Sequence, residues 1–327
     1  MKPVVNVERD TFKIEGGFAI ARGSRTHAHV ITVNIWDGIH QGFGECVPYA
    51  RYGESLDGVA EDIKALAPAI AEGLTRAELQ DRMKPGAARN ALDCALWDLE
   101  AKRAHKPVHE LLGFSAPQPL TTAFTISVGT PEKMREDAAK AADRPLLKVK
   151  LAGEGDVERI QAVRSAAPNS KLIVDANEGW TADNVEANLR ACENAGVALI
   201  EQPMAAGNDE ALREITTSVL VCADESFHTA DNLEALRDRY NAVNIKLDKT
   251  GGLTEGLQVI EKAKELDFTI MVGCMLGSSL AMAPAFYLAQ AADFVDLDGP
   301  LLLAQDRAYP IPFEGSLMHA PNRSLWG

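Results

Sequence analysis

Lys148 and Lys150 stand two residues apart in the apolar run Leu146-Leu147-Lys148-Val149-Lys150-Leu151, and charged side chains end the β-branched runs that follow. Asp175 closes Lys171-Leu172-Ile173-Val174, Glu201 closes Val197-Ala198-Leu199-Ile200, and Asp224 closes Val219-Leu220-Val221-Cys222-Ala223. Lys246 ends Val243-Asn244-Ile245, and Asp296 and Asp298 share Phe294-Val295-Asp296-Leu297-Asp298. Residues i and i+2 of a strand face the same way, so an extended run delivers its charges to one face and packs the residues between them on the other. Three carboxylates brought side by side repel one another, and a bound cation relieves that repulsion. Oxygen-only ligands with positions left for water and substrate suit Mg²⁺, whereas Zn²⁺ favours histidine and cysteine. The plain alternative, an acid paired with a lysine or capping a helix, serves for any one of the three and poorly for all three in register.

Lys150 lies on the run before the carboxylates and Lys246 on the run after them. In a ring of strands they face each other across the metal, so a proton can leave one face of a carbon and return to the other. Ammonium groups close to a divalent cation and to each other release a proton more readily, which makes lysine a usable base near neutral pH. Lys148 is then a second positive charge that tunes Lys150. Asp296 and Asp298, with no metal assigned to them, suit a cationic group such as an α-ammonium; a solvated strand end is the bland alternative. Arg25, in the polar stretch Arg22-Gly23-Ser24-Arg25-Thr26-His27, can reach over the site and hold a carboxylate in a two-pronged geometry. Arg22 is equally placed.

The charged run ends recur at steps of 22 to 26 residues, the length of a strand, a helix and two short loops. Candidate strands begin near Thr121, Leu146, Leu172, Val197, Leu220, Val243, Phe268 and Phe294, with helices between them such as Val185 to Glu193 and Leu253 to Leu266. Eight such units predict a TIM-type barrel, in which functional groups gather at the C-terminal ends of the strands. An open doubly wound sheet is the alternative, but only a closed ring lets all the charges converge. Upstream, Val4 to Phe12, Phe18 to Ala21 and Ala28 to Trp36 read as strands, with a polar loop at 22–27 and a hairpin turn at Asp37-Gly38 leading to Gly42-Phe43-Gly44-Glu45-Cys46. Helices are expected from about 57 to 112, where Leu92, Ala95, Leu96 and Leu99 form an apolar stripe. Gly113, Pro117 and Pro119 mark the domain boundary.

A chain of 327 residues, 46% of them hydrophobic, is expected to be soluble and to bury a large core. Neither an N-terminal signal segment nor an uncharged stretch of membrane-spanning length is present, so a cytoplasmic location is expected. The five cysteines are scattered without CxxC spacing and read as free thiols in a reducing compartment. A formal charge of −14 argues against nucleic acid and anionic membrane as partners, and leaves a homo-oligomer open. Thr250-Gly251-Gly252 lacks the company of a phosphate-binding motif, and no histidine has triad partners at recognisable spacing. His228, just after Asp224-Glu225-Ser226-Phe227, fits a place at a helix N-terminus.

Lys148-Val149-Lys150, Asp175-Ala176-Asn177, Glu201-Gln202-Pro203, Asp224-Glu225-Ser226, Lys246-Leu247-Asp248-Lys249-Thr250-Gly251-Gly252 and Asp296-Leu297-Asp298-Gly299-Pro300 together resemble the enolase superfamily, muconate-lactonising subgroup, and within it the bacterial dipeptide epimerases of the L-Ala-D/L-Glu type. The resemblance runs through nearly the whole chain. It implies an α/β fold: an α+β capping domain over 1–115, a modified TIM-type (β/α)7β barrel over 116–310, and a segment over 311–327 that returns to the cap. It further implies Mg²⁺ on Asp175, Glu201 and Asp224, acid/base catalysis by Lys150 and Lys246 through a metal-stabilised enolate, the dipeptide ammonium on Asp296 and Asp298, and the glutamate side chain on Arg25. The segments 18–27 and 47–55 would form a lid, and 273–279 would shape the pocket. The implied reaction converts L-Ala-D-Glu to L-Ala-L-Glu in murein peptide recycling. Competing readings are an epimerase of other dipeptides, an o-succinylbenzoate synthase or cycloisomerase, a metal-free Schiff-base aldolase, and a non-catalytic barrel.

Overall fold

The computed structural model describes residues 1–20 and 23–327. Alternating side chains at the start of the chain build a three-stranded antiparallel sheet from β1 (Val4–Ile20), β2 (Gly23–Trp36) and β3 (Gln41–Cys46). β1 and β2 pair from Val4 opposite Trp36 to Ile20 opposite Gly23, and the register breaks between Lys13 and Phe18. Gly16 and Gly17 in that break have φ of 67° and 79°, a left-handed backbone that glycine takes at little cost. Residues 23–27, expected as a polar loop, are therefore strand: the hairpin arm stands clear of the core, and its polar side chains stay exposed while the backbone pairs.

Four helices follow: α1 (Leu56–Ala71), α2 (Arg76–Arg82), α3 (Ala87–Ala104) and α4 (Val108–Leu111). The expected apolar stripe of α3 packs into the core of this first unit. Its backbone lies almost on β3: a Cβ at Gly42 or Gly44 would stand 2.1 Å from the carbonyl oxygen of Ala95 or Ala91, so only glycine permits the approach. The opposite side of α3 is polar yet also buried, because it seats on the barrel. There Arg89 donates to the carbonyl oxygens of Thr250 (2.6 Å) and Gly251 (3.1 Å), Asn90 donates to Asp248 (2.9 Å), and Asp93 accepts from the Thr254 amide (2.9 Å).

Beyond the short strand β4 (Leu120–Thr121) runs a ring of eight parallel strands: β5 (Phe124–Ile126), β6 (Leu146–Lys150), β7 (Lys171–Asp175), β8 (Val197–Glu201), β9 (Leu220–Ala223), β10 (Ala242–Ile245), β11 (Thr269–Gly273) and β12 (Phe294–Asp296). The Ala123 amide, bonded to the Val295 carbonyl at 2.8 Å, draws the two ends of the sheet together. The first barrel strand thus starts at Phe124 rather than near Thr121. Outside the ring lie α5 (Pro131–Lys140), α6 (Asp156–Ala166), α7 (Val185–Asn194), α8 (Leu247–Thr250), α9 (Leu253–Glu265) and α10 (Ser279–Leu288), and the connections after β8 and β9 contain only 3-10 turns. This is a TIM-type α/β barrel preceded by a separate antiparallel unit, as the periodicity predicts.

The C-terminal segment forms β13 (Phe313–Glu314) and β14 (Leu317–Met318), and β14 pairs with β4. Its end reaches α3: the Trp326 indole donates to the Cys94 carbonyl at 3.0 Å and the Gly327 amide to Asp98 at 2.7 Å. Among the described residues no helix is long and apolar enough to cross a membrane.

The barrel interior shows how the site is positioned. Ala123, Leu146, Ile173, Leu199, Cys222, Ala242, Met271 and Phe294 form one apolar cluster, an inward residue at each strand. Side chains alternate along a strand, so the next inward position lies two residues further on. Those positions are Thr125, Lys148, Asp175, Glu201, Asp224, Asn244, Gly273 and Asp296. The chemistry forms a polar layer directly above an apolar floor.

Candidate active site

The ring order places β6 and β10 four strands apart in a circle of eight, with β7, β8 and β9 between them. Lys150 and Lys246 consequently rise from opposite sides of the mouth, and Asp175, Glu201 and Asp224 occupy the arc that joins them. All five side chains are buried, as are Lys148, Asp296 and Asp298.

The three carboxylates of the arc, and Asp296, each meet an ammonium group. Lys150 Nζ lies 2.6 Å from Asp175 Oδ2, Lys246 Nζ lies 2.6 Å from Asp224 Oδ2, and Lys148 Nζ lies 2.6 Å from both Glu201 Oε2 and Asp296 Oδ2. Burial alone would lower the pKa of Lys148, but the charges of Asp296, Glu201 and Asp175 outweigh it and hold the ammonium well above the ordinary lysine value. Lys148 is therefore a fixed positive charge. Burial would also raise Asp175 and Asp224, yet the lysines around them keep both carboxyls below their usual range. Glu201 goes the other way, pushed up by burial and by the charge of Asp175.

Four further side chains hold this layer in place. Lys249 is buried, 2.5 Å from Asp224 Oδ1 and bonded to the carbonyl oxygens of Asp224 (2.6 Å) and Asn244 (3.0 Å). The single turn of α8 brings it back beneath the strand that carries Lys246. Asn244 donates to Glu201 Oε1 at 2.7 Å, and Gly273 leaves room for it, since a Cβ there would stand 2.6 Å from its Oδ1. Gln202, at φ 33°, accepts from the amides of Asp224 (2.9 Å) and Ser226 (3.0 Å). Asn177, at φ 47°, donates from its backbone to Asp175 Oδ1 at 2.8 Å and from its side chain to Oδ2 at 3.1 Å. The sequence reading gave these four no role. Inward alternation would have found Asn244, but nothing in a run of residues shows that a turn folds Lys249 under the site.

As these side chains stand, among the described residues no three acidic, histidine or cysteine groups lie close enough together to share an ion. Ammonium groups stand between the carboxylates and balance their charge. The donor set nonetheless fits a hard cation: it is entirely oxygen, and beside Glu201 the Asn244 Oδ1 is buried without a hydrogen-bond donor.

Above this layer lies a cavity of about 480 Å³ between barrel and hairpin, and Lys148, Lys150, Lys246, Asp296 and Asp298 all line it. The segments expected to form a lid contribute Phe18, Ile20 and Arg25 from the hairpin and Tyr49, Arg51 and Tyr52 from the stretch after β3. Arg25 lies 5.8 Å over the Tyr49 ring and makes no ion pair among the described residues; Arg22 lies outside them. Cys274, Met275 and Leu276 of the 273–279 stretch complete the wall. Asp298 accepts from the Thr125 amide at 2.7 Å, and burial together with the charge of Asp296 raises its carboxyl to about 7. Asp296 Oδ1 is a buried acceptor without a donor. His228 sits outside the polar layer, its ring edge-on to Tyr52 at 4.7 Å, just before the 3-10 turn at Ala230–Asn232.

A barrel with opposed lysines and carboxylates between them, capped by a separate unit, defines a class. The chain belongs to the enolase superfamily: residues 4–113 match the mandelate racemase / muconate lactonizing enzyme N-terminal domain, and residues 133–323 match the enolase C-terminal domain-like family. It is an isomerase of the epimerase and racemase kind. The chain is 45% identical to the L-Ala-D/L-Glu epimerase of Escherichia coli (strain K12) over 96% of its own length and 99% of that protein's. It is 46% identical to an N-acetyl-D-glutamate racemase of Pseudoalteromonas sp over 91% of its length and 95% of that protein's. An enolase family member from Agrobacterium tumefaciens, solved with bound sodium and L-Ala-L-Glu, superposes with a TM-score of 0.98 at 54% identity, covering 99% of this chain and 100% of that one.

Proposed function

We propose that the chain is a Mg²⁺-dependent dipeptide epimerase that inverts the α-carbon of the C-terminal residue, with L-Ala-D-Glu to L-Ala-L-Glu as its reaction. The observation that carries this reading is the pair of lysines on strands four apart in a ring of eight, with carboxylates on the arc between them. Two bases on opposite sides of one carbon are what inversion by proton transfer needs.

Asp175, Glu201 and Asp224 would hold the cation, whose charge offsets the second negative charge that builds on a carboxylate when its α-proton leaves. One of Lys150 and Lys246 takes the proton from one face, and the other, as its ammonium, returns a proton to the opposite face. Lys148 stays charged and keeps Glu201 and Asp296 in place. Asp296 and Asp298 bind the dipeptide ammonium, and the donor-free Asp296 Oδ1 supports that role. Arg25 binds the glutamate carboxylate: it lines the cavity, whereas the guanidinium of Arg51 already faces Glu178. An anionic dipeptide is repelled by the overall charge at long range, but screening confines that to about 8 Å, within which the cations of the mouth dominate. On this reading the enzyme works in the cytoplasm on peptide released from murein.

The racemase relative motivates a second reading, in which the substrate is N-acetylglutamate. The acidic pair separates the two, because an acyl nitrogen carries no charge for it to meet. Steady-state assays of both substrates, repeated on Asp296→Asn and Asp298→Asn, test the choice. The dipeptide reading expects L-Ala-D-Glu to be preferred and to lose about 100-fold in kcat/KM in either variant. N-acetyl-D-glutamate turnover that exceeds the dipeptide's and survives both substitutions would overturn it.

A further inference from the structure

One contact joins the cap to the strand end that carries Asp175. Arg51, in the 3-10 turn Ala50–Tyr52, meets Glu178 as a fork, with Nε 3.0 Å from Oε2 and Nη2 2.8 Å from Oε1. The Glu178 side chain is nearly buried, and its Oε1 also accepts the Ala206 amide at 2.9 Å, so one carboxylate ties the stretch after β3 to the loops after β7 and β8. Bidentate pairs of this kind fix geometry as well as adding energy.

Both ends of the tie reach the active layer. On the cap side, the amide of Val47 donates to Asp248 at 3.0 Å and that of Tyr49 to Glu54 at 3.0 Å, so the stretch is anchored to the barrel ahead of Arg51 and closed on itself across it. Tyr49 and Tyr52 flank Arg51 with their rings 5.3 Å apart, and both line the cavity with Lys246. On the barrel side, Asn177 and Glu178 are held in the left-handed region, φ 47° and 68°, which is strained for a residue with a side chain and persists only when its surroundings enforce it. The Glu178 amide bonds to the Gln202 carbonyl at 3.0 Å, and Asn177 grips both oxygens of Asp175.

We propose that Arg51 and Glu178 are a positioning pair that couples closure of the 47–52 stretch over Lys246 to the seating of Asp175 through Asn177. Substrate held under Tyr49 and Tyr52 then strengthens the hold on the cation, and the cation strengthens the hold on substrate. The proposal rests on the metal-dependent reading above.

The test is a double-substitution cycle of Arg51→Met, Glu178→Gln and the two together, reading Mg²⁺ affinity by calorimetry without substrate and KM and kcat with L-Ala-D-Glu. Glu178→Gln keeps an oxygen for the Ala206 amide and removes only the charge. Each single change is expected to weaken Mg²⁺ binding and raise KM by about 3- to 10-fold with a smaller change in kcat, and the double variant should match the singles rather than multiply them. Additive losses, or Mg²⁺ affinity unchanged in Arg51→Met, would overturn the coupling. Inactivity of the unsubstituted enzyme on the dipeptide would instead reject the substrate assignment, and the calorimetric arm would still decide the pair.

Discussion

The floor and the mouth of the barrel stand on the same strands, two residues apart, and do opposite things. At the floor the inward residues are apolar, from Ala123 through Ile173 and Met271 to Phe294, and they gain from leaving water. At the mouth most of the next inward residues are charged, Lys148, Asp175, Glu201, Asp224 and Asp296, and their burial is costly unless every charge is matched. The difference teaches where this enzyme keeps stability and where it keeps chemistry: the floor fixes the strands, and the mouth uses that rigidity to hold charges that would otherwise relax apart.

The comparison breaks most clearly at the lysines. Lys246→Met should lower kcat by about 10³-fold or more, while the fold survives because Lys249 still pairs with Asp224. Stopped-flow or steady-state assays with circular dichroism check both halves, and an active variant would remove Lys246 from the reaction. Ile173→Ala at the floor should do the reverse. It removes a fully buried side chain and should cost about 2 to 4 kcal/mol in urea unfolding, with kcat changed by less than about threefold.

The seam between α3 and the barrel sharpens the same contrast through pH. Burial raises the Asp248 carboxyl from 3.8 to about 7, although the Val47 amide and Asn90 donate to it. A group whose folded pKa is raised contributes stability that is full below the unfolded value and is lost as pH rises through the folded one, here between about 4 and 7. Asp248→Asn keeps both donors satisfied and cannot ionise. Its stability relative to the parent should rise by up to a few kcal/mol between pH 5 and pH 8 in paired urea titrations; a constant difference would mean that Asp248 is ionised throughout. The smallest effect lies at the exposed hairpin arm. Arg25→Met should raise KM for L-Ala-D-Glu about 10-fold or more and leave an apolar second residue nearly unaffected.

The polar layer was legible because strand alternation is strict. Once Leu146 and Val149 are read as packed on opposite faces, Lys148 and Lys150 have one direction left, and the same logic carries Asp175, Glu201, Asp224, Lys246 and Asp296. What escaped depends on chain that folds back on itself. Lys249 reaches Asp224 only because α8 is one turn long, Gln202 reaches the Asp224 amide only because its backbone is left-handed, and Arg51 finds Glu178 across 127 residues. The 23–27 stretch differs from its expected loop for another reason: its polar side chains look like a loop, while its strand character comes from pairing of 23–25 with 18–20 and of His27 with Lys13, which no local pattern displays.

The central claim is that two lysines act on opposite faces of one carbon. It is tested most directly by following loss of the glutamate α-proton in D₂O by NMR for L-Ala-D-Glu and L-Ala-L-Glu separately, with the parent enzyme and with Lys150→Met and Lys246→Met. The account predicts exchange of both epimers with inversion in the parent, exchange of one epimer alone in one variant, and exchange of the other alone in the second. Exchange of both epimers by a single-lysine variant would contradict it.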